Sequence, residues 1–218
     1  MENLIEQYME ENHTYYVVKK VFVEKKKIYE VGKRIFDFAA ALVLGIVMIL
    51  PMLLIAGYIK LDSKGPVIYR QERIGLNGKP FTIYKFRTMY ENAEENGPQW
   101  AEKIDYRCTR AGHCLRKTRL DELPQLWNII AGDMSFVGPR PERAYFYEQF
   151  ETYIYGFKNR LDVKPGLTGW AQVNGGYDLE PEEKIVYDME YIEKRSFMMD
   201  LKCIFMTVKL VFTHEGAR

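Results

Sequence analysis

The chain has 218 residues, 47% hydrophobic and 28% charged, with 31 lysines and arginines against 30 acids and a formal net charge of +1. That length and apolar content suit one packed domain with a modest extension and argue against wholesale disorder. The balanced charge gives no support to a nucleic-acid partner, which calls for a basic excess, and a mean hydropathy of −0.30 argues against a protein lying mostly in lipid.

The N-terminus, Met1-Glu2-Asn3-Leu4-Ile5-Glu6, is acidic where a secretory signal is basic. Three cysteines, Cys108, Cys114 and Cys203, make an odd number without CxxC spacing, which points to a reducing compartment rather than a disulfide framework. His113 lies between two of them, but with no second histidine nearby ordinary packing is the expectation. The first strong feature is the run from Phe38 to Ile59, 22 residues without a charge. As one helix it would reach about 33 Å, one hydrocarbon thickness. Basic residues stand on both sides: Lys19, Lys20, Lys25, Lys26, Lys27, Lys33 and Arg34 before it, and Lys60, Lys64, Arg70 and Arg73 after it. A simple crossing would put one of these groups on the wrong face. Pro51 inside the run removes a helical hydrogen bond and crowds the preceding turn. A helix that breaks at Pro51 and returns to its starting face satisfies both observations. A spanning helix with a proline kink is the alternative.

Beyond the run the chain reads as a soluble domain. Val67-Ile68-Tyr69 and Phe81-Thr82-Ile83-Tyr84 predict short strands of a hairpin around Gly75-Leu76-Asn77-Gly78. Glu91 to Pro98 reads as a polar loop or broken helix start. Pro124 to Ile130 predicts a helix with Leu126, Trp127 and Ile130 on its apolar face. Pro165 to Gly169 is a turn cluster, Glu182 to Lys194 a charged helix, and Met198 to Phe212 an amphipathic helix whose polar residues are Asp200, Lys202 and Lys209.

Charge is uneven. Lys60 to Arg87 holds seven basic residues against two acids, and Lys103, Arg107, Arg110, Arg116, Lys117 and Arg119 form a second basic stretch around Asp105. Asp178 to Glu193 is the counterweight, with seven acids and one lysine. Solvated faces and attraction to anionic lipid account for the basic stretches, and so does a phosphate-rich substrate. Two motifs bear on the choice. In Leu115-Arg116-Lys117-Thr118-Arg119-Leu120-Asp121-Glu122-Leu123-Pro124-Gln125-Leu126-Trp127-Asn128, paired carboxylates stand before a helix, where their usual role is capping. Their basic setting could instead hold phosphates against a carboxylate nucleophile. In Ser135-Phe136-Val137-Gly138-Pro139-Arg140-Pro141-Glu142, two prolines fix the backbone around an arginine, as in a rigid surface turn or a pre-positioned phosphate fork.

These motifs, together with Lys33-Arg34-Ile35-Phe36-Asp37, Arg73-Ile74-Gly75, Tyr84-Lys85-Phe86-Arg87-Thr88-Met89 and Lys164-Pro165-Gly166-Leu167-Thr168-Gly169, resemble the bacterial sugar transferase family from about Val31 to near the C-terminus. The resemblance implies a small catalytic-core form of a monotopic phosphoglycosyl transferase. Its fold would be α+β and mainly helical, with a re-entrant membrane helix, short strands and interfacial amphipathic helices. The expected divisions are an extension over 1–30, a membrane-inserted helix over 31–62 and a catalytic domain over 63–218, on the cytoplasmic face of the bacterial inner membrane.

The implied reaction moves a sugar 1-phosphate from a UDP-sugar to polyprenyl (undecaprenyl) phosphate, releasing UMP and initiating exopolysaccharide, capsule or glycan assembly. Asp121 would attack the β-phosphorus, and Glu122 would deprotonate the polyprenyl phosphate. Mg²⁺ would be the cofactor, with Asp121 its protein ligand. Lys33, Arg34, Lys85, Arg116 and Arg140 become candidates for phosphate positioning, with Glu142 supporting the arginine or the metal. Pro51 matches the family's helix break, although Leu50 stands where some relatives have serine. Membrane lipid and downstream glycosyltransferases are the expected partners, and Pro165 to Gly169 would help shape the nucleotide pocket.

Overall fold

In the computed structural model the apolar run forms two helices, α1 (Lys27–Val47) and α2 (Ile49–Asp62), which meet at Met48 with a bend of 61°. The structure describes residues 4–10, 13–21, 26–93, 95, 97, 105–175 and 178–213. Lys25, Lys103, part of the acidic start and part of the Glu91–Pro98 loop, on which sequence expectations fall, lie outside the described residues. The sequence places the break at Pro51, but it lies three residues earlier. The ring has no N–H for the Val47 carbonyl and crowds the turn before it, so the distortion falls upstream, while Pro51 sits in the first turn of α2. Among the described residues no single helix is long and apolar enough to cross a membrane.

The remaining chain is α+β and mainly helical. Strands β1 (Ile5–Glu10) and β2 (His13–Val18) form an antiparallel hairpin, and the short β6 (Ile154–Tyr155) joins β2 in parallel. Strands β3 (Ile68–Ile74) and β4 (Pro80–Phe86) are the predicted hairpin, in register from Ile68↔Phe86 to Ile74↔Pro80. Asn77, at φ 56°, takes the left-handed conformation in its turn. Strands β5 (Ser135–Val137) and β7 (Gly166–Thr168) pair in parallel. The other helices are α3 (Arg110–Thr118), α4 (Leu126–Ala131), α5 (Ala144–Glu151), α6 (Trp170–Asn174), α7 (Pro181–Lys194) and α8 (Phe197–Thr213). Helix α7 starts with a capping box between Glu180 and Glu183 and a proline at its N-terminus.

Both ends of the helix pair are bolted to the same body. On α1, Ala41 packs with Ile83, Leu126, Ile129 and Met134. At the far end of α2, Ile59 packs with Phe86, Ala111 and Leu115, worth about 1.5–3 kcal/mol for such a fully buried aliphatic side chain. Asp62 accepts from the Ala111 N–H at the start of α3 (3.1 Å), and Arg87 donates to the Ser63 and Lys64 carbonyls just past the end of α2. Elsewhere the pair is inverted relative to a water-soluble helix. Asp37 of α1 is buried, whereas Val43, Ile46 and Val47, and then Leu50, Leu53 and Leu54 of α2, are each more than 60% exposed.

Helix α8, expected to be amphipathic, shows the same inversion: of its polar residues Lys202 and Lys209 are exposed but Asp200 is buried at 7% exposure, and the apolar residues Met198, Leu201, Phe205, Val208 and Phe212 form an exposed stripe. The expected face of the helix after Pro124 is also corrected. Leu120–Gln125 is a 3-10 turn with Pro124 inside it, and α4 buries Leu126, Asn128 and Ile129 while Trp127 is exposed.

Candidate active site

Helix α3 is capped by Thr109, whose Oγ1 accepts from the Gly112 N–H (2.9 Å). It packs so closely that a Cβ on Gly112 would collide with the Thr88 carbonyl. The helix ends at Arg119, a non-glycine residue at φ 57°. This left-handed residue reverses the chain and starts the 3-10 turn that presents Asp121 and Glu122. Neither carboxylate caps a helix. Next to the turn, the buried Asn128 amide mimics a strand partner. Its Nδ2 donates to the Thr82 carbonyl (2.7 Å) and its Oδ1 accepts from the Tyr84 N–H (3.2 Å). Helix α4 is thereby fixed to β4, which carries Lys85, and Lys85 Nζ reaches Glu122 Oε1 at 2.8 Å.

Arg140 reaches the same oxygen from the other side, Nη2 to Oε1 at 2.7 Å. Its loop follows β5 and is held on both flanks. On one, the Gly138 N–H donates to Thr168 O and the Gly166 N–H to Pro139 O, each at 2.9 Å. A Cβ on Gly138 would strike the Lys164 carbonyl, and one on Gly166 would strike the Gly138 nitrogen. The glycines of the Pro165–Gly169 turn therefore permit backbone to pack on backbone behind Arg140. On the other flank the Ile74 N–H donates to Glu142 O (3.0 Å), and Arg73 donates to Pro141 O and to Glu142 Oε2 (3.2 and 3.1 Å). Glu142 thus anchors the loop through Arg73, a residue whose role its sequence motif did not reveal.

The two carboxylates have opposite electrostatics. Burial pushes Glu122 upward, but Arg140 and Lys85 overcome it and hold the group well below the usual glutamate range. Burial, reinforced by the charge of Glu122, pushes Asp121 above the usual aspartate range, against the pull of Lys85, Arg140 and Arg116. Among the described residues no ion pair to the Asp121 carboxylate is found.

Three expected phosphate residues have other partners. Lys33 pairs with Asp200 of α8 at 2.7 Å, in a network where Tyr29 and Tyr191 also donate to Asp200 (2.8 Å each). Arg34 donates to the Ile129 and Ile130 carbonyls at the end of α4 (2.6 and 2.8 Å), where a cation answers the helix dipole. Asp37, one turn on, accepts from the Phe136 N–H of β5 (3.2 Å). The Lys33-Arg34-Ile35-Phe36-Asp37 motif is therefore a clamp between α1 and the domain. Arg116 donates to Cys108 Sγ (2.8 Å) and lies 3.6 Å from Asp105, so it bears on Asp121 through its charge. Asn128 was legible only as a single polar residue in an apolar stretch, and Asp200 only as one of several polar residues in an amphipathic one.

The bacterial sugar transferase family profile matches residues 28–214. The chain is 44% identical over 195 residues to the UDP-N-acetylgalactosamine-undecaprenyl-phosphate N-acetylgalactosaminephosphotransferase of Aeromonas hydrophila, covering 88% of this chain and 46% of the relative. It is 44% identical over 191 residues to the UDP-glucose:undecaprenyl-phosphate glucose-1-phosphate transferase of Escherichia coli K12, covering 85% and 41%. With EpsL, an uncharacterised sugar transferase of Bacillus subtilis, it shares 40% identity over 184 residues, covering 84% and 89%. The chain thus spans less than half the length of the first two relatives.

Proposed function

Since the chain belongs to the bacterial sugar transferase family, we propose that it transfers a sugar 1-phosphate from a UDP-sugar to undecaprenyl or a related polyprenyl phosphate. The observation that carries this reading is the convergence of Lys85 and Arg140 on Glu122, beside an Asp121 carboxylate to which no ion pair is found among the described residues. Asp121 attacks the β-phosphorus and the bond to the bridging oxygen breaks, so that UMP leaves and an aspartyl phosphosugar remains. Its raised basicity suits attack on phosphorus. A polyprenyl phosphate oxygen then attacks that phosphorus, Glu122 takes any proton it carries, and the Asp121 carboxylate is regenerated. Lys85 and Arg140 hold phosphate oxygens through both displacements.

A Mg²⁺ ion would suit the Asp121 carboxylate, which is buried beside Glu122 and has no ion pair among the described residues, because Mg²⁺ binds through one or two carboxylates together with substrate phosphates. Asp121 would be its protein ligand, and the ion would neutralise charge on the diphosphate oxygens.

Attachment to the cytoplasmic face of the bacterial inner membrane is part of the proposal, with α1 and α2 forming a re-entrant hairpin. Support comes from the exposed apolar surface of the pair, its 61° bend and the fixing of both ends to one domain. From Phe38 to Val47, α1 extends about 15 Å, half the hydrocarbon core. The apolar stripe of α8 would lie in the headgroup layer. Extension, hairpin and catalytic domain then divide near residues 30 and 62, and glycan assembly by downstream glycosyltransferases follows. Single cysteines at positions 25 and 64, in a chain without its native thiols, should both react with an impermeant reagent only from the cytoplasmic side. Labelling of either from outside would mean a spanning helix.

The reaction itself is tested by supplying polyprenyl phosphate, Mg²⁺ and a panel of UDP-sugars. UMP should be released with at least one sugar. Release of UDP instead would mean transfer of the sugar without its phosphate, and the proposal would fall.

A further inference from the structure

We propose that Glu122 occupies the phosphate site of the resting protein, so that an incoming diphosphate binds by taking Lys85 and Arg140 away from it. This deepens the reading above and rests on it. Two cations from distant parts of the chain meet one oxygen, Glu122 Oε1, at 2.8 and 2.7 Å. All three side chains are largely shielded, with exposures of 17% for Lys85, 27% for Arg140 and 13% for Glu122. Two charge-assisted donors converging on one oxygen also form the arrangement that receives a phosphate oxygen.

The cations are carried by rigid supports, whereas Glu122 lies in a short 3-10 turn. Asn128 fixes the α4–β4 contact behind Lys85, and the paired strands β5 and β7 back the Arg140 loop. The donors therefore keep their places and the acceptor changes. Among the described residues no ion pair to Asp121 is found, so the attacking carboxylate is not tied up by the cations that Glu122 holds. When phosphate oxygens replace Oε1, the two positive charges move onto the group under attack and Glu122 is freed next to it. The exchange trades one set of ion pairs for another, with no covalent bond made or broken. Glu122 is thus a competitor of the substrate before it is a participant in the reaction.

Removing the competitor should strengthen anion binding. The probe is inorganic pyrophosphate, titrated calorimetrically into the purified detergent-solubilised protein with EDTA present, so that no metal contributes. Glu122→Gln is expected to bind pyrophosphate about tenfold more tightly than the parent chain, and Glu122→Ala to shift in the same direction. Adding Lys85→Met or Arg140→Met to Glu122→Gln should abolish the gain. Glu193→Gln changes net charge equally at an exposed position of α7 and should leave the affinity unaltered. Pyrophosphate should also raise the melting temperature of Glu122→Gln more than that of the parent, a readout that keeps the test valid if the variant is less stable. Equal or weaker binding by both Glu122 variants, with native circular dichroism, overturns the proposal. A persistent gain in a chain that releases no UMP from any UDP-sugar would uphold the anion site and reject the transferase reading. UMP release without the gain would reject only the displacement.

Discussion

Asp121→Asn is expected to lower UMP release by at least about a thousandfold while leaving the protein folded. The amide has nearly the shape of the carboxylate but cannot form an acyl phosphate. Little structure depends on the charge, because no ion pair to Asp121 is found among the described residues and Glu122 keeps both of its cations. The stability effect has a definite sign. Burial and Glu122 push the Asp121 pKa up, so the charged form at neutral pH is less favoured in the folded chain than in the unfolded one. Neutralising it should leave stability unchanged or slightly raised. The measurement is a single-turnover assay with a UDP-sugar labelled in the sugar and no lipid acceptor. The parent should release UMP once per active site and retain covalent label, whereas the variant should do neither. Near-normal turnover by the variant would remove Asp121 as the nucleophile.

The largest stability effect is expected at the buried ion pair between the 3-10 turn Phe157–Asp162 and α7. Arg160 and Asp188 form an ion pair at 2.6 Å, with side-chain exposures of 2% and 0%. The Arg160 guanidinium also lies over the Phe157 ring, 5.0 Å from its centroid, and among the described residues its Nε and Nη1 have no hydrogen-bond partner. Burial outweighs the attraction of Arg160 and pushes Asp188 up to about 6. Asp188→Ala would strand a buried guanidinium at a cost of about 3–5 kcal/mol. In a chain of this size that lowers the melting temperature by roughly 10 °C. Replacing the pair together, Arg160→Met with Asp188→Leu, should recover most of the loss, because neither charge is then left alone in the core. A single variant as stable as the parent would show that solvent or another group compensates Arg160.

Elements whose cause is local are legible in the sequence. The β3–β4 hairpin follows from alternating apolar residues around a glycine-asparagine turn, and α7 from its proline and acids at the start and lysine at the end. The apolar run and its proline announce a bent helix, with the break displaced by the effect of the proline ring on the preceding turn. Less legible are the faces of α1 and α8, since periodicity does not say which stripe of a helix packs against the rest of the chain. Here Asp37 and Asp200 point inward to a backbone N–H and a lysine while apolar side chains point out.

By itself the sequence determined the family to which this protein belongs. The motifs around Asp121, Arg140 and the apolar run are short and ordered along the chain, and the family profile covers all of them. Only the tertiary structure decided which basic residues meet the Asp121–Glu122 pair and which find partners elsewhere. Lys33 and Lys85 look alike as sequence, yet the first is tied to Asp200 and the second meets Glu122. Ion pairing depends on the packing of segments far apart in the chain: Lys85 is 37 residues from Glu122, and Lys33 is 167 from Asp200. Local pattern reports only the spacing within each segment, whereas the partner of a charge is chosen by how those segments pack.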